Sequence, residues 1–529
     1  MVDFLVDEPV LLVFLVVGIG AGIGAVRVHG VSVGPAAALF VGLAFGAVDD
    51  TLTGAVELAV LREVGLVLFT YTVGIASGPT FFSALRRGGF AAIGVTVAVV
   101  AALAVMTAAV AAIFGLSVAD RAGVFAGSTT NTPALQAAVE ALDEGDPVIG
   151  YSLSYPTAVA AMIVVLTLVF GRRLRLPPSL DPPAAPPPEP LVNWTVRVDR
   201  AGLPTLGELR DHYPGLRFSR IQQGGTVEIA RSSHTPAPGD SLVIVGPRST
   251  VAGLCLEIGT RSDHHLPLDR STLDFRRVLV SDRRLAGERL GELHLEDRFG
   301  VSATRVRRGD IDLVASDSTK LALGDRVRVV GPADGLARVA RELGDSERHA
   351  YELDAAGFAI GISIGLAVGE IPIPLPGAGE LRLGAGGGPL LVGLLLGTIS
   401  RVGPITFQLP HAANLVLRQL GVLLFLAAAG VGSGATFADA IQTNQGLELV
   451  LVGAIVSTSF ALVVPLVIEV ILRRDTVETA GFFAGIETQP AALAYAVDRT
   501  AGDDRVNLTY AIAFPAAMIA KIVAVQFLV

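Results

Sequence analysis

Cysteine is almost missing from these 529 residues, and Cys255 stands alone in a polar middle stretch. One thiol per chain rules out an internal disulfide framework and a thiolate metal site, and it fits a reducing compartment. Charge is scarce too: charged residues make up 17% against 51% hydrophobic, with a formal net charge of -9. No basic stripe runs along any segment, which removes nucleic acid from the partners. No HExxH, Walker A or Ser-His-Asp arrangement is present, so the chain is read as a non-enzyme without cofactor or metal. His264 and His265 are adjacent in RSDHHLPLD and read as part of a solvated linker. A basic leader is absent as well. MVDFLVDEPVLLVFLVVG begins acidic and runs straight into an apolar stretch, which reads as a first transmembrane helix rather than a secretory signal.

What the chain has is apolar length. Mean hydropathy is +0.60, too high for an all-soluble chain. Residues 1–171 and 355–529 are rich in Ala, Val, Leu, Gly and Ile, while 172–354 hold most of the Arg and Asp. Spans near 9–26, 33–48, 60–77, 89–115 and 148–170 recur as 355–369, 389–404, 415–434, 447–472 and 507–528. Each is about long enough to cross a hydrocarbon core of roughly 30 Å. The halves also match each other. GLVLFTYTVGIASGPTF at 65–81 aligns without gaps to GVLLFLAAAGVGSGATF at 421–437, AGVFAG at 122–127 returns as AGFFAG at 480–485, and Tyr151 with Pro156 returns as Tyr510 with Pro515.

Orientation follows from the clustering of Lys and Arg in cytoplasmic loops. Arg27, Arg86, Arg87 and the cluster Arg172, Arg173, Arg175 mark one side, while Asp49, Asp50 and the loop from Asp143 to Asp146 mark the other. The middle insert is then cytoplasmic and both termini external, in the cytoplasmic (inner) membrane of a bacterium or archaeon. The count closes if 121–141 enters and leaves on one side, leaving five crossings. An odd count inverts the second repeat, and Arg401, Arg473 and Arg474 do fall where the first repeat carries Asp49, Asp50 and Asp120. The expected fold is an α-helical polytopic membrane protein with two inverted-topology repeats, each of about five crossings plus one broken or re-entrant segment, 121–141 and 478–498.

Those odd segments carry the chemistry. GSTTNTPALQAAV, Gly127 to Val139, places Ser128, Thr129, Thr130, Asn131, Thr132 and Pro133 inside an apolar stretch, and GIETQPAALAYAV offers Glu487, Thr488, Gln489 and Pro490. Polar groups at bilayer depth face a cavity or one another. A helix starting near Pro133 would aim free N–H groups at an anion; the alternative is a kinked packing helix whose hydroxyls bond back to i−4 carbonyls. Two copies in inverted repeats favour a substrate site for a small anion. Lys521, inside the last span, needs a substrate carboxylate or Glu487 as partner, or else snorkels to the headgroups. Glu487 can also be read as a proton carrier. Ser77-Gly78 and Ser433-Gly434 read as close helix packing before cavity lining, and GIGAGIG at 18–24 reads as packing rather than a dinucleotide loop. TVGIASG at 72–78 is a poor match to a potassium filter.

The insert opens with a Pro-rich spacer, 172–190. Two units follow with a strand, helix, strand, strand order, and in each a GD turn (Gly239-Asp240, Gly324-Asp325) precedes a strand ending in Val-Gly-Pro. They resemble RCK_C (TrkA C-terminal) domains, the second more closely. The domain plan is thus an N-terminal transmembrane repeat 1–171, linker 172–190, RCK_C-like domains 191–262 and 263–346, and a C-terminal transmembrane repeat 347–529. With T-x-T-P-A-L at Thr130 to Leu135 and its relative at Thr488 to Pro490, this order resembles the aspartate:alanine exchanger family over essentially the whole chain. The second copy departs from the motif, having lost one residue and the second threonine. The resemblance implies a secondary antiporter of small carboxylates such as aspartate, alanine or a dicarboxylate, embedded in membrane lipid. It also implies a homodimer and a small regulatory ligand at the RCK_C domains, with no nicotinamide cofactor because no Rossmann half precedes them. The alternatives are an RCK_C-regulated ion channel and a sensor without transport.

Overall fold

Each long apolar run folds as a helix in the computed structural model, which describes residues 2–26, 34–53, 56–86, 90–142, 144–167, 191–213, 215–263, 266, 272–308, 311–347, 349, 352–375, 379–500 and 503–529. Arg27, Arg87, Asp143, the linker 172–190 with Arg172, Arg173 and Arg175, and the pair His264, His265 lie outside the described residues. Two units form. One gathers Met1–Pro187, Phe358–Thr398 and Asn414–Val529, the other Pro188–Gly357 and Ile399–Ala413.

The first unit is helical, and one order of helices occurs twice. Pro9–Gly24, Ala37–Gly46, Val56–Arg86, Phe90–Ile113, the pair Val118–Ser128 and Thr132–Ala141, then Pro147–Val165 come before the insert. Ala355–Gly369, Gly384–Ile399, His411–Gly432, Asn444–Ile471, the pair Thr476–Glu487 and Pro490–Arg499, then Asp504–Gln526 come after it. Val56–Ser83, Phe90–Ile113, Ala412–Gly432, Asn444–Ile471 and Arg505–Gln526 are each long and apolar enough to cross a membrane. Their outer faces leave Val105, Ile113, Leu462 and Val470 exposed, as expected of helices bathed in hydrocarbon. One expected span ends early. The run 389–404 is helical only to Ile399; Ser400 turns into the left-handed region at φ 67°, and Arg401–Val402 pairs with Ile405–Thr406 in a hairpin that belongs to the other unit, where Arg401 meets Glu288 at 2.8 Å.

Small residues let the two sets of helices touch backbone to backbone, and they do so reciprocally. A Cβ on Gly65 would lie 2.7 Å from the Gly421 carbonyl oxygen, and a Cβ on Gly421 would lie 2.6 Å from that of Gly65. These two glycines are equivalent in the internal alignment. Gly74 packs on Gly393 and, at the equivalent place, Gly430 packs on Gly42. Gly78 and Gly434 lie against Leu394 and Gly46, so the duplicated Ser-Gly pairs serve close packing. Gly20 and Gly24 of GIGAGIG likewise meet Ala38 and Gly34.

The second unit contains two sheets of matching topology. Strands Leu191–Val198, Arg217–Gln223, Thr226–Ile229, Ser241–Pro247 and Gly259–Arg261 form a five-stranded sheet, and Asp274–Leu279, Ser302–Arg308, Ile311–Val314 and Arg326–Gly331 form a four-stranded one. In each, the last-arriving long strand inserts between the first and second. The GD turns are built alike. Gly239 and Gly324 adopt φ 96° and 89°, open to glycine, while Asp240 and Asp325 accept the Ala237 and Ala322 amides, both at 2.9 Å. Helices Arg248–Ile258 and Ala333–Leu343 then cover one face of each sheet over separate apolar cores.

Candidate functional site

Both odd segments break at a threonine in left-handed conformation. Val118–Ser128 ends, Thr130 turns at φ 49°, and Thr132–Ala141 restarts; Thr476–Glu487 ends, Thr488 turns at φ 57°, and Pro490–Arg499 restarts. A β-branched residue is strained there, so each turn needs outside support. The other turn supplies it. Thr130 Oγ1 donates to the Glu487 carbonyl at 2.9 Å, Asn131 Nδ2 to Thr488 Oγ1 at 3.2 Å, and Thr488 Oγ1 approaches the Thr129 carbonyl at 3.4 Å.

Lys521 closes this crossing. Its side chain is fully buried, and Nζ donates to the Thr129 carbonyl at 3.0 Å and to Thr488 Oγ1 at 3.2 Å, 5.9 Å from the centre of the Phe460 ring. The ammonium therefore sits at the C-terminal ends of two helices, where the macrodipoles are negative, and it interacts electrostatically with Glu487. Burial removes the snorkelling alternative. Glu487 is itself only 2% exposed.

The residues that start the second helices line a cavity of about 550 Å³. Asn131 caps Thr132–Ala141, its Oδ1 accepting the Ala134 amide at 2.8 Å, with Pro133 in the first turn as the sequence leads one to expect. Thr130, Asn131, Thr132, Pro133, Thr488 and Gln489 all reach the cavity wall. Tyr151 OH lies 3.3 Å from Thr132 Oγ1, and Gln489 Nε2 donates to Tyr155 OH at 3.3 Å. Ser128, Thr129, Glu487 and Lys521 are not part of that wall. They are buried in the crossing, where Ser128 Oγ reaches the Gly453 carbonyl at 3.4 Å and Thr129 Oγ1 bonds back to Phe125 at 2.9 Å. Pro490 opens its helix beside Gln489.

Known proteins match at the level of this architecture. A family model described as a predicted permease membrane region, that of the aspartate–alanine exchangers, matches residues 12–171 and 357–529. The chain belongs to the aspartate–alanine exchanger family. A TrkA-C domain model matches residues 275–344, within the insert of this family member. An uncharacterized transporter of Geobacter sulfurreducens is 38% identical, with 100% of this chain and 99% of the relative covered. Uncharacterized transporters of Corynebacterium glutamicum (36%, with 99% of each covered) and Symbiobacterium thermophilum (37%, with 99% of this chain and 98% of the relative covered) align over the same extent. This exchanger-family chain is a multi-pass membrane transporter with a TrkA-C domain.

Sequence reasoning missed the charge of the site. Arg418 and Gln419, on His411–Gly432, line the same cavity as the two breaks, joined by Tyr151, Tyr155 and Phe69. The signal was present in two forms. A guanidinium inside an apolar helix is a functional mark by default, and the gapless internal match extends backwards, LREVGLVLF at 61–69 against LRQLGVLLF at 417–425, pairing Arg62 with Arg418.

Proposed function

We propose that this transporter is an antiporter of small carboxylates, of the size of aspartate, alanine or succinate, and that its substrate binds in the cavity between the two broken segments. The observation that carries the reading is Arg418 in a cavity of about 550 Å³ whose wall is made by the crossing of those segments. Guanidinium supplies the paired donors a carboxylate takes, and Thr132, Gln489 and the capped start of Thr132–Ala141 supply neutral donors and the positive end of a helix dipole. The volume suits a ligand of a few to a dozen heavy atoms with water around it. Lys521 and Glu487 then position the crossing rather than contact substrate.

The reciprocal glycine contacts support inverted repeats, since they relate Gly65 to Gly421, and Gly74–Gly393 to Gly430–Gly42, by one exchange of halves. Alternating access would then come from one bundle moving against the other about the crossing of the broken segments. The clustering of Arg in loops supports a reading with the TrkA-C insert in the cytoplasm of a bacterial or archaeal cell and the termini outside, the insert pairing two copies and answering to a small ligand.

Counterflow in proteoliposomes tests the reading. Liposomes are loaded with unlabelled aspartate, alanine or succinate, and uptake of labelled partner is followed for wild type, Thr132→Ala and Gln489→Ala. Uptake that requires internal substrate and falls in both variants supports an antiporter with its site at the breaks. Inert substrates together with dissipation of an ion gradient would replace it with a channel.

A further inference from the structure

Arg418 has a twin. Arg62 occupies the equivalent position of the internal repeat, one turn before Gly65 as Arg418 is one turn before Gly421, and those two glycines touch. The exchange of halves that carries Gly65 onto Gly421 therefore carries Arg62 onto Arg418, each one turn from the glycine at which their helices touch. Each arginine borders a cavity of its own. The Arg418 cavity holds the two breaks; the Arg62 cavity, about 400 Å³, is lined by Thr53, Ala59, Asp146 and Ser433 and by no residue of the Arg418 cavity.

The two arginines differ in one respect that points to a ligand. Arg62 Nε is buried and has no hydrogen-bond partner. Arg62 is half-buried, and a buried donor left without an acceptor is costly; it persists where another state of the molecule, or a ligand, satisfies it. Asp146 is at the same cavity, but its carboxylate is engaged with the Val148 amide at 2.9 Å. Two exchange-related arginines, one facing the larger cavity and one with an unmet donor in the smaller, fit a transporter in which each face of the membrane has its own carboxylate receptor.

We propose that Arg62 binds the substrate carboxylate at a second site, used when the transporter opens to the face opposite the one served by Arg418. In the state described, Arg418 is set to receive substrate and Arg62 waits; the conformational exchange swaps their roles. The inference rests on the reading of the Arg418 cavity as a carboxylate site.

The test is sided. Full-length wild type, Arg62→Met and Arg418→Met are assayed in right-side-out and inside-out vesicles with labelled aspartate, or with succinate if counterflow selects it, and the half-saturating concentration is measured at each face. Loss of a charge-assisted contact predicts a rise of roughly tenfold or more, at one face for Arg418→Met and at the other for Arg62→Met, with the unaffected face within about twofold. A rise for Arg418→Met at one face and none for Arg62→Met at either overturns this inference alone. No rise for Arg418→Met at either face overturns the parent reading. An equal rise at both faces for Arg62→Met assigns it to a single shared site and also overturns the inference. Arg62→Met should melt with the wild type in detergent, because the Nε it removes makes no bond; a variant that fails to fold marks Arg62 as structural and refutes the second site.

Discussion

Replacing Lys521 by methionine removes the ammonium from the crossing while nearly keeping its volume, and the structure sets the size of the effect. Two hydrogen bonds are lost, to the Thr129 carbonyl and to Thr488 Oγ1, and the buried Glu487 loses its counter-charge. Removing one of two buried opposite charges costs up to about 3–5 kcal/mol, the value for a direct ion pair, because the remaining charge stays uncompensated. Replacing both members by neutral groups avoids most of that. The expected cycle is a loss of up to about 3–5 kcal/mol for Lys521→Met, a comparable loss for Glu487→Gln, and a double variant much more stable than their sum predicts. Equilibrium unfolding of the full chain in mixed detergent, followed by helical circular dichroism, reads all three. Counterflow adds a second reading: Lys521 does not reach the cavity wall, so Lys521→Met should lower the maximal rate and leave the half-saturating concentration within about twofold. Additive losses would refute the coupling of Lys521 to Glu487. A half-saturating concentration raised tenfold with stability unchanged would return Lys521 to the substrate.

Other outcomes follow from the packing and from the insert. A methyl group on Gly421 meets the Gly65 carbonyl oxygen at 2.6 Å and the Phe69 amide nitrogen at 2.7 Å, so Gly421→Ala should destabilise the membrane unit by about 1–3 kcal/mol, and an unchanged melting temperature would contradict the contact. In the insert, burial pushes the Glu296 carboxyl above its ordinary value, partly opposed by Arg210 and Arg217. An acid held above its unfolded value stabilises the fold least once it ionises, so its contribution falls as pH rises from about 4 through the raised value. The melting temperature of Glu296→Gln relative to wild type should therefore climb between about pH 4 and pH 7; a constant or falling difference would be against it.

How much of this was legible in the sequence depends on the kind of signal. The helices were readable because lipid demands long apolar runs, and the breaks because hydroxyls, amides and proline are out of place in them. The start of Thr132–Ala141 was legible in Pro133, near which the sequence places a helix N-terminus. The division of labour among those residues was not readable. Thr130 and Thr488 both face the cavity, yet Thr129 and Lys521 do not, and that depends on how two turns cross in space. Arg418 carried a readable signal, but its place near the start of the span 415–434 allowed the ordinary reading of an arginine that meets headgroups. The hairpin at Arg401–Thr406 was hidden inside an apolar run that continues past the left-handed Ser400.

The contact between Gly65 and Gly421 has a meaning beyond packing. A residue that touches its own equivalent is the signature of an isologous interface, in which one surface patch is complementary to itself. Within a single chain, such a contact resembles the interface of a two-fold dimer, in which one substitution at this glycine would act on both sides of the interface at once. Because the two halves lie in one chain, each side can differ. The stretch from Gly127 carries threonines where the other copy carries Glu487, and Met162, which falls on Lys521 when Tyr151 is set on Tyr510, is apolar.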